Sequence, residues 1–301
     1  MQAEADAIRS QGRRIGCVPT MGFFHEGHLS LMRRAAEISD VLVVTLFVNP
    51  IQFGAGEDYS AYPRDEDRDR RLAEANSCQI LFAPSVEAMY PAGFATYIDV
   101  EGLTETLCGA SRPGHFRGVA TVVAKLFNIV KPHVAVFGQK DAQQAVIIQR
   151  LVSDLNLDID IEVAPIVREP DGLAMSSRNT YLTPRERRDA TVLYQSLQRA
   201  QEMIVSGERQ SRAIIEAMTA SISETASSRI DYVSIVAEDT LKPLDTIHRR
   251  ALIAVAVWFG KARLIDNCVV SCEMMQGACH AKNTLQIKNS RGDRHPGQSQ
   301  L

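Results

Sequence analysis

Two histidines lie three residues apart near the start of the chain, in the stretch PTMGFFHEGHLSL (residues 19–31). His25 and His28 have Gly22 before them and Gly27 between them. The stretch follows a short apolar segment and leads into a helical pattern, which places the pair at a predicted strand–helix junction. Glycines allow a bound group to approach the backbone, and a helix N-terminus offers free N–H groups to phosphate. We therefore interpret the two imidazoles as donors that stabilise charge on a phosphorus under attack.

The histidine pair has two other interpretations. A zinc site of the metalloprotease type needs histidines at i and i+4 with a glutamate between them, whereas the spacing here is i and i+3 and no third ligand is obvious. A lone pair of histidines is more often an ordinary core or surface pair, but the neighbouring glycines and the junction favour phosphate. No metal site built from protein ligands alone is predicted in the chain.

Polar side chains also follow two further predicted strands. The segment FVNPIQFG, after the apolar run 41–48, brings the amides Asn49 and Gln52, which can bind a polar or carboxylate-bearing substrate. The segment FGQKDAQQ brings Lys140 as a phosphate ligand, Asp141 to orient that lysine or a metal, and Gln144 one turn into the next helix. By itself, Asn-Pro in the first segment is also an ordinary turn.

Two clusters of cations and hydroxyls complete the set of candidates. SRPGHFRG contains Arg112 and His115, which suit a carboxylate or a polyphosphate, although solvated surface charge explains them equally well. MSSR contains Ser176, Ser177 and Arg178 within four residues. Such clusters usually belong to ordinary loops. This chain also has the segment FGQKDAQQ, called the lysine loop below, and the histidine pair around Gly27, and the three together favour a shared phosphate site.

The elements that must position these residues alternate between strand and helix. Unalternated Val/Leu runs such as VLVVTLFV are typical of strands covered on both faces. Strands and helices alternate from residue 13 to about residue 167, which predicts an α/β fold with a Rossmann-like, doubly wound parallel sheet. In such sheets ligands bind at the carboxyl ends of the strands, where the candidate residues lie.

The remaining sequence predicts a second unit and a tail. Residues 179–267 are helical and then strand-like, which indicates a smaller C-terminal α+β lid domain after a nucleotide-binding domain at 1–178. Residues 268–301 are polar and predicted to be disordered. Cys268, Cys272, Cys279 and His280 lie there, but the cysteine spacings of four and seven residues fit no CxxC pair, which argues against a metal site.

Composition narrows the possible partners. The chain has 301 residues, 45% of them hydrophobic, and a formal net charge of −3, which argues against general nucleic-acid binding and favours a small-molecule partner. The N-terminal residues show no apolar signal segment, and the run 41–48 is too short to span a bilayer. We expect a cytoplasmic protein with reduced cysteines and no membrane partner.

Several long blocks, in order, resemble the pantothenate synthetase (pantoate–β-alanine ligase) family. They are PTMGFFHEGHLSL, FVNPIQFG, YPRDEDRD, MYPAG, RPGHFRGVATVVAKLFNIVKP, FGQKDAQQ and REPDGLAMSSRN. The family belongs to the nucleotidyltransferases with a Rossmann-like fold and a His-x-Gly-His type motif, and the resemblance covers about residues 13 to 267.

The resemblance implies a ligase with two half-reactions. ATP, with Mg²⁺, and pantoate would give pantoyl adenylate and pyrophosphate, and β-alanine would then displace AMP to give pantothenate. It also implies a homodimer and assigns roles to residues. His25, His28, Lys140 and Arg178 would be catalytic. The ATP-binding residues would be Met21, Gly22, Phe23, Phe24, His25, Glu26, Gly27, His28, Gly138, Gln139, Lys140, Asp141, Val167, Met175, Ser176, Ser177 and Arg178. The substrate-binding residues would be Gln52 and Gln144, with Asn49, Tyr62, Arg112 and His115 as additional candidates.

The chain departs from the family pattern in three places. Only about one helix precedes the VPTMG block, where the family usually has a further strand. Phe23 and Phe24 replace a small residue and leucine, and we expect this pair to narrow the nucleotide pocket. The residues after Asn267 do not follow the pattern.

Two alternative functions belong to other classes. An adenylyltransferase acting on a phosphorylated acceptor would need additional basic residues instead of the amide pair Asn49 and Gln52. A nucleotide-sensing or RNA-binding relative without catalysis would keep the fold, but the net charge argues against RNA.

Overall fold

The computed structural model describes residues 1–271 and contains two sheets. The first sheet has five strands in the order β3-β2-β1-β4-β5, and every neighbouring pair in it is parallel. Its strands are β1 (Ile15–Thr20), β2 (Val41–Leu46), β3 (Ile80–Phe82), β4 (Val134–Gly138) and β5 (Asp160–Ala164). The strand order reverses between β1 and β4, so the predicted doubly wound, Rossmann-like sheet is confirmed.

Ten helices connect or flank the strands of the described residues. They are α1 (Gln2–Ser10), α2 (Glu26–Glu37), α3 (Glu66–Ala75), α4 (Val86–Met89), α5 (Leu107–Ser111), α6 (His115–Val130), α7 (Ala142–Asp154), α8 (Pro184–Asp189), α9 (Val192–Val205) and α10 (Ser211–Ser223). Three short 3₁₀ helices span Pro50–Gln52, Gln139–Asp141 and Ser177–Tyr181.

The central strands are buried on both faces, as their unalternated sequences predict. β1 and β2 read IGCVPT and VLVVTL, and almost every residue of both is buried. On one face they pack with α1, α6 and α7 through side chains such as Val119 and Ile147. On the other face, Phe24 and Met32 pack on Val18 and Val44. Covering both faces leaves only the strand ends open to ligands.

The C-terminal part forms a separate antiparallel sheet. It contains β6 (Ser228–Ala237), β7 (Arg250–Phe259) and β8 (Ala262–Ser271), and a core of its own is shared with α9 and α10. This matches the predicted smaller α+β unit. Whether the domain boundary falls at residue 178 stays a prediction.

The predicted start of the disordered tail at residue 268 is wrong. β8 continues to Ser271, which pairs with Arg250 at the start of β7, and Cys268 pairs with Ile253. The strand continues because β7 is ten residues long and needs a partner along its whole length. Cys272, Cys279 and His280 lie outside the described residues.

Candidate active site

Four segments that leave the parallel sheet at its carboxyl edge enclose a cavity of about 200 Å³. They follow β1, β2, β4 and β5, on both sides of the point where the strand order reverses. Many of the predicted site residues share this cavity. The predicted residues that line it are Met21, His25, Gly27, His28, Asn49, Gln52, Tyr62, Gly138, Lys140, Asp141, Gln144, Val167, Met175, Ser176, Ser177 and Arg178.

Five residues predicted to bind ATP do not line this cavity: Gly22, Phe23, Phe24, Glu26 and Gln139. The Phe24 side chain is fully buried in the core, and the Phe23 ring lies under the guanidinium of Arg68. Glu26 forms an ion pair with Arg33. The expectation that the two phenylalanines narrow the pocket is therefore wrong. Neither side chain lines the cavity, because Phe24 lies in the core and Phe23 lies against Arg68.

The two histidines are held against each other at the start of α2. His25 is the N-cap residue, and its backbone N–H donates to Nδ1 of His28 at 3.3 Å. The ring centroids are 4.1 Å apart. A Cβ atom on Gly27 would lie 2.9 Å from Cε1 and Nδ1 of His25, so only glycine leaves room for that ring. Because Nδ1 of His28 accepts, a neutral His28 carries its proton on Nε2 and can donate to a ligand.

Both histidines are kept neutral by their surroundings. Burial, followed by the charge of Lys140, lowers the pKa of His25 to about 4. Burial, His25 and Lys140 lower the pKa of His28 well below its usual value. His115 also has a pKa of about 4, because of burial and the nearby Arg112. At neutral pH these imidazoles are therefore hydrogen-bonding groups without charge.

The lowered pKa values of these partly buried histidines predict a loss of stability in mild acid. Between pH 6.5 and pH 4 the unfolded chain binds protons that the folded chain excludes, so stability falls as pH falls. We expect His25 and His115 each to contribute about 1 kcal/mol or more to this loss between pH 7 and pH 5. Urea unfolding of wild type and of His25→Gln at both pH values measures the contribution. The exposed His248→Gln is the control, and an equal pH dependence in all three proteins would contradict the prediction.

The candidate cations differ in how tightly they are already paired. Arg112 forms a two-bond ion pair with Glu57 at 2.7 and 2.6 Å, and Arg178 forms one with Asp58 at 3.0 and 2.9 Å. Lys140 has only its neighbour Asp141 at 3.6 Å among the ion pairs of the described residues. Lys140 is consequently the cation most readily available to an incoming phosphate.

Arg112 and His115 lie outside the histidine cavity and line a second one of about 760 Å³. His115 Nδ1 donates to the carbonyl of Gln52 at 2.8 Å, and Arg112 donates to His115 Nε2 at 3.0 Å. Arg112 and His115 therefore hold the backbone of the Gln52 segment and do not line the cavity that contains His25 and His28. The two cavities share a wall, and the residues that line both are Lys140, Asp141, Gln144, Ser176 and Arg178.

The two amides of the FVNPIQFG segment have different surroundings. Asn49 is fully buried, donates to Gln52 Oε1 at 3.0 Å and to the carbonyl of Gly118 at 3.1 Å, and accepts from Tyr90 at 2.7 Å. Gln52 Nε2 donates only to the sulfur of Met21 within the described part of the chain. A thioether is a weak acceptor, so Gln52 keeps a donor for a ligand while Asn49 fixes its orientation.

Sequence reasoning missed an apolar wall of the cavity. Phe47, Val119, Val122 and Val123 line it beside the two amides. The valines belong to α6, whose apolar sequence is typical of any buried helix. Their signal is indistinguishable from core packing, because a helix that closes a cavity and a helix that fills a core show the same apolar pattern.

Sequence reasoning also missed the support that β8 gives to the lysine loop. Asn267 Nδ2 donates to the carbonyls of Gln139 and Lys140, both at 3.0 Å, and Asn267 Oδ1 accepts from Gln139 Nε2 at 3.0 Å. The neighbouring Asp266 is 2% exposed and binds Arg168 through two hydrogen bonds at 2.6 and 3.0 Å. The C-terminal sheet thus fixes both the lysine loop and the segment after β5.

The sheet order and the site at its carboxyl edge define a Rossmann-like α/β enzyme with neutral imidazoles and a lysine facing one cavity. The profile of the Pantoate-beta-alanine ligase family matches residues 1–269 of the chain. The chain belongs to the pantoate–β-alanine ligase family.

Individual relatives support this membership. Pantothenate synthetase of Thermotoga neapolitana is 56% identical over 270 residues, which are 90% of this chain and 96% of that protein. That of Heliobacterium modesticaldum is 59% identical over 260 residues, 86% of this chain and 92% of that protein.

Solved structures agree with the fold. Pantothenate synthetase from Thermus thermophilus has a TM-score of 0.84 at 46% identity and covers 88% of this chain and 96% of its own. A pantoate-beta-alanine ligase from Francisella tularensis, complexed with beta-gamma ATP and beta-alanine, has a TM-score of 0.71 at 33% identity, covering 90% and 95%.

Proposed function

We propose that this enzyme condenses pantoate with β-alanine at the expense of ATP and releases pantothenate, AMP and pyrophosphate. The observation that supports this most strongly is the single cavity that holds two neutral imidazoles, Lys140 and the Gln52 amide. The Francisella relative, crystallised with an ATP compound and β-alanine, points to the same substrates. No helix of the described residues is both long and apolar enough to cross a membrane.

In the first half-reaction a carboxylate oxygen of pantoate attacks the α-phosphorus of ATP. The new P–O bond gives pantoyl adenylate, and the bond to the bridging oxygen breaks so that pyrophosphate leaves with the electron pair. His28 Nε2–H and the Lys140 ammonium stabilise the charge that develops on the phosphate oxygens. No protein nucleophile is required, since the substrate carboxylate is itself the nucleophile and needs only to be positioned.

Gln52 and the apolar wall suit pantoate. The Nε2–H of Gln52 can donate to a hydroxyl or carboxylate oxygen of pantoate. Val119, Val122 and Phe47 can contact its two methyl groups. In the second half-reaction the amine of β-alanine attacks the acyl carbon of the same bound group. A C–N bond forms, the C–O bond to the phosphate breaks so that AMP leaves with its electron pair, and the nitrogen loses one proton.

Mg²⁺ is proposed to arrive with ATP. Within residues 1–271 there is no group of three or more His, Cys, Asp or Glu side chains that could hold a metal ion. Mg²⁺ in ATP-dependent sites is commonly bound by phosphates with one or two carboxylates, and Asp141 lines both cavities beside Lys140. Asp141 fits this role, and the ion would supply additional neutralisation of phosphate charge.

An adenylyltransferase acting on a phosphorylated acceptor remains the alternative, and the amides beside an apolar wall favour pantoate over it. Pyrophosphate release from ATP, measured with pantoate alone and then with β-alanine, tests the proposal. We expect release or exchange to depend on pantoate, and pantothenate to form only when β-alanine is added. Pyrophosphate release that is independent of pantoate would contradict the proposal.

We also propose that the enzyme acts in the cytoplasm and that it is a homodimer, the assembly that the family resemblance implies. Sedimentation velocity of the purified chain tests the assembly, and a single monomeric species at assay concentrations would refute it.

Replacement of Gln52 by alanine is expected to raise the pantoate KM by about tenfold or more, the effect of losing a hydrogen bond to a charged group. The ATP KM should change much less, because Gln52 lies on the segment after β2. The residues proposed to bind phosphate, His28 and Lys140, lie on the segments after β1 and β4. Steady-state kinetics with each substrate varied in turn measure both values. The exposed Gln195→Ala on α9 is the matched control, and unchanged pantoate kinetics in Gln52→Ala would refute the assignment.

A further inference from the structure

A buried carboxylate lies behind the histidine segment and belongs to the YPRDEDRD block, which the proposed chemistry does not use. Asp69 of α3 is 1% exposed. Its Oδ2 accepts the backbone N–H of Phe23 at 2.6 Å, and its Oδ1 accepts that of Phe24 at 2.7 Å. One carboxylate therefore binds two consecutive N–H groups with charge-assisted hydrogen bonds.

The backbone that Asp69 binds has an unfavourable conformation. Gly22 has φ +83° and Phe23 has φ +52°, so two consecutive residues are left-handed. Glycine adopts such angles easily, but a bulky residue such as phenylalanine rarely does. A Cβ atom on Gly22 would lie 2.9 Å from Asp69 Oδ2. The turn is thus maintained by the carboxylate and by the glycine that lets it approach.

This turn determines where the histidines lie. Phe24 follows it with its side chain buried in the core, and His25 comes next as the N-cap of α2. The His25 N–H then donates to His28. A rotation of the backbone at residues 22–24 would therefore displace both imidazoles, although Asp69 itself does not line the cavity.

We propose that Asp69 is a positioning residue for the adenylation step: by holding the Gly22–Phe23 turn through two N–H groups, it aligns His25 and His28 with the reacting phosphate. This inference rests on the proposed function. The proposed role of Asp69 differs from that of the residues proposed to bind pantoate, because Gln52 and Gln144 lie on the segments after β2 and β4.

Asp69→Asn tests the inference, because the amide has nearly the same shape but cannot accept both N–H groups with a charged oxygen pair. At saturating ATP and pantoate, we expect kcat for pyrophosphate release to fall about tenfold to a hundredfold, the effect of a small misplacement of catalytic groups. The pantoate KM should stay within about twofold of wild type. A role in stability alone would leave kcat unchanged at temperatures well below the unfolding midpoint.

Asp65→Ala is the matched control on the same helix. Asp65 caps α3 by accepting the Arg68 N–H at 3.0 Å and, among the described residues, makes no side-chain hydrogen bond to the segment 22–28. Its replacement should lower the unfolding midpoint and leave kcat of the folded protein normal. If Asp69→Asn and Asp65→Ala lose activity equally, or if folded Asp69→Asn has a normal kcat, the inference is overturned.

Gly22→Ala disrupts the same contact by changing the turn instead of the carboxylate. This variant tests the inference if Asp69→Asn does not fold. The added Cβ opposes both the left-handed φ and the approach of Oδ2, so the same fall in kcat with an unchanged pantoate KM is expected. A normal kcat in Gly22→Ala would overturn the inference. The proposed function fails separately, if wild type itself shows no pantoate-dependent pyrophosphate release.

Discussion

Replacement of His28 by alanine should lower the rate of pantoate-dependent pyrophosphate release by at least about a hundredfold, the effect of losing one donor to a transition-state charge. The backbone N–H of His25 occupies Nδ1 of His28, so Nε2–H is the donor that remains for the phosphate. Burial lowers the pKa of this histidine, so its contribution is a neutral hydrogen bond and not a mobile proton. Rapid-quench measurement of pyrophosphate in a single turnover detects the change directly.

His28→Gln provides the informative comparison for this result. Its side-chain amide can place an N–H donor near the position of Nε2, so a smaller loss than in His28→Ala is expected. His248→Ala, at an exposed position outside both cavities, should behave like wild type. A folded His28→Ala protein with a nearly normal single-turnover rate would disprove the role of His28.

Replacement of Lys140 by alanine should cause a comparable loss, again about a hundredfold or more. Arg112 and Arg178 are each held by a carboxylate through two bonds, whereas Lys140 has a single looser partner in Asp141. Lys140 also contributes to the low pKa of both histidines, so its removal changes the charge of the whole site. The single-turnover rate and the ATP KM together measure the effect.

Two variants define the specificity of the lysine result. Lys140→Arg keeps the charge but changes the geometry of the donors, so it should recover part of the rate. Lys242→Ala removes an exposed lysine from the C-terminal part and should have no effect. If Lys140→Ala turns over normally, the phosphate site must be assigned to other cations.

The parallel, doubly wound type of the sheet was predictable because its strands carry continuous apolar runs and alternate with helices. VLVVTL and VAVFG have no polar face, and only a sheet covered on both sides buries them. Once the sheet is parallel, the residues after β1, β2, β4 and β5 must meet at one edge. The histidines, Gln52 and Lys140 could therefore be grouped from the sequence alone, although their catalytic roles stay predictions.

The errors arose where long-range contacts decide the outcome. Phe24 belongs to a glycine-flanked motif, but its side chain packs on the sheet because the turn at Gly22 and Phe23 directs it inward. Nothing local in the sequence shows that Asp69, 46 residues beyond Phe23, binds that turn. Likewise, Cys268 resembles the start of a polar tail until its pairing with Ile253 is known.

The hydrogen bonds from Asn267 to the lysine loop also determine when the site can be completed during synthesis. Asn267 lies 127 residues beyond Lys140, so the loop leaves the ribosome long before its partner on β8 exists. Domains fold as the chain emerges, and the parallel sheet can therefore form first. The loop that carries Lys140 gains its hydrogen bonds from Asn267 only after β8 has been synthesised. A chain interrupted before β8 would therefore lack these hydrogen bonds even where the parallel sheet has formed.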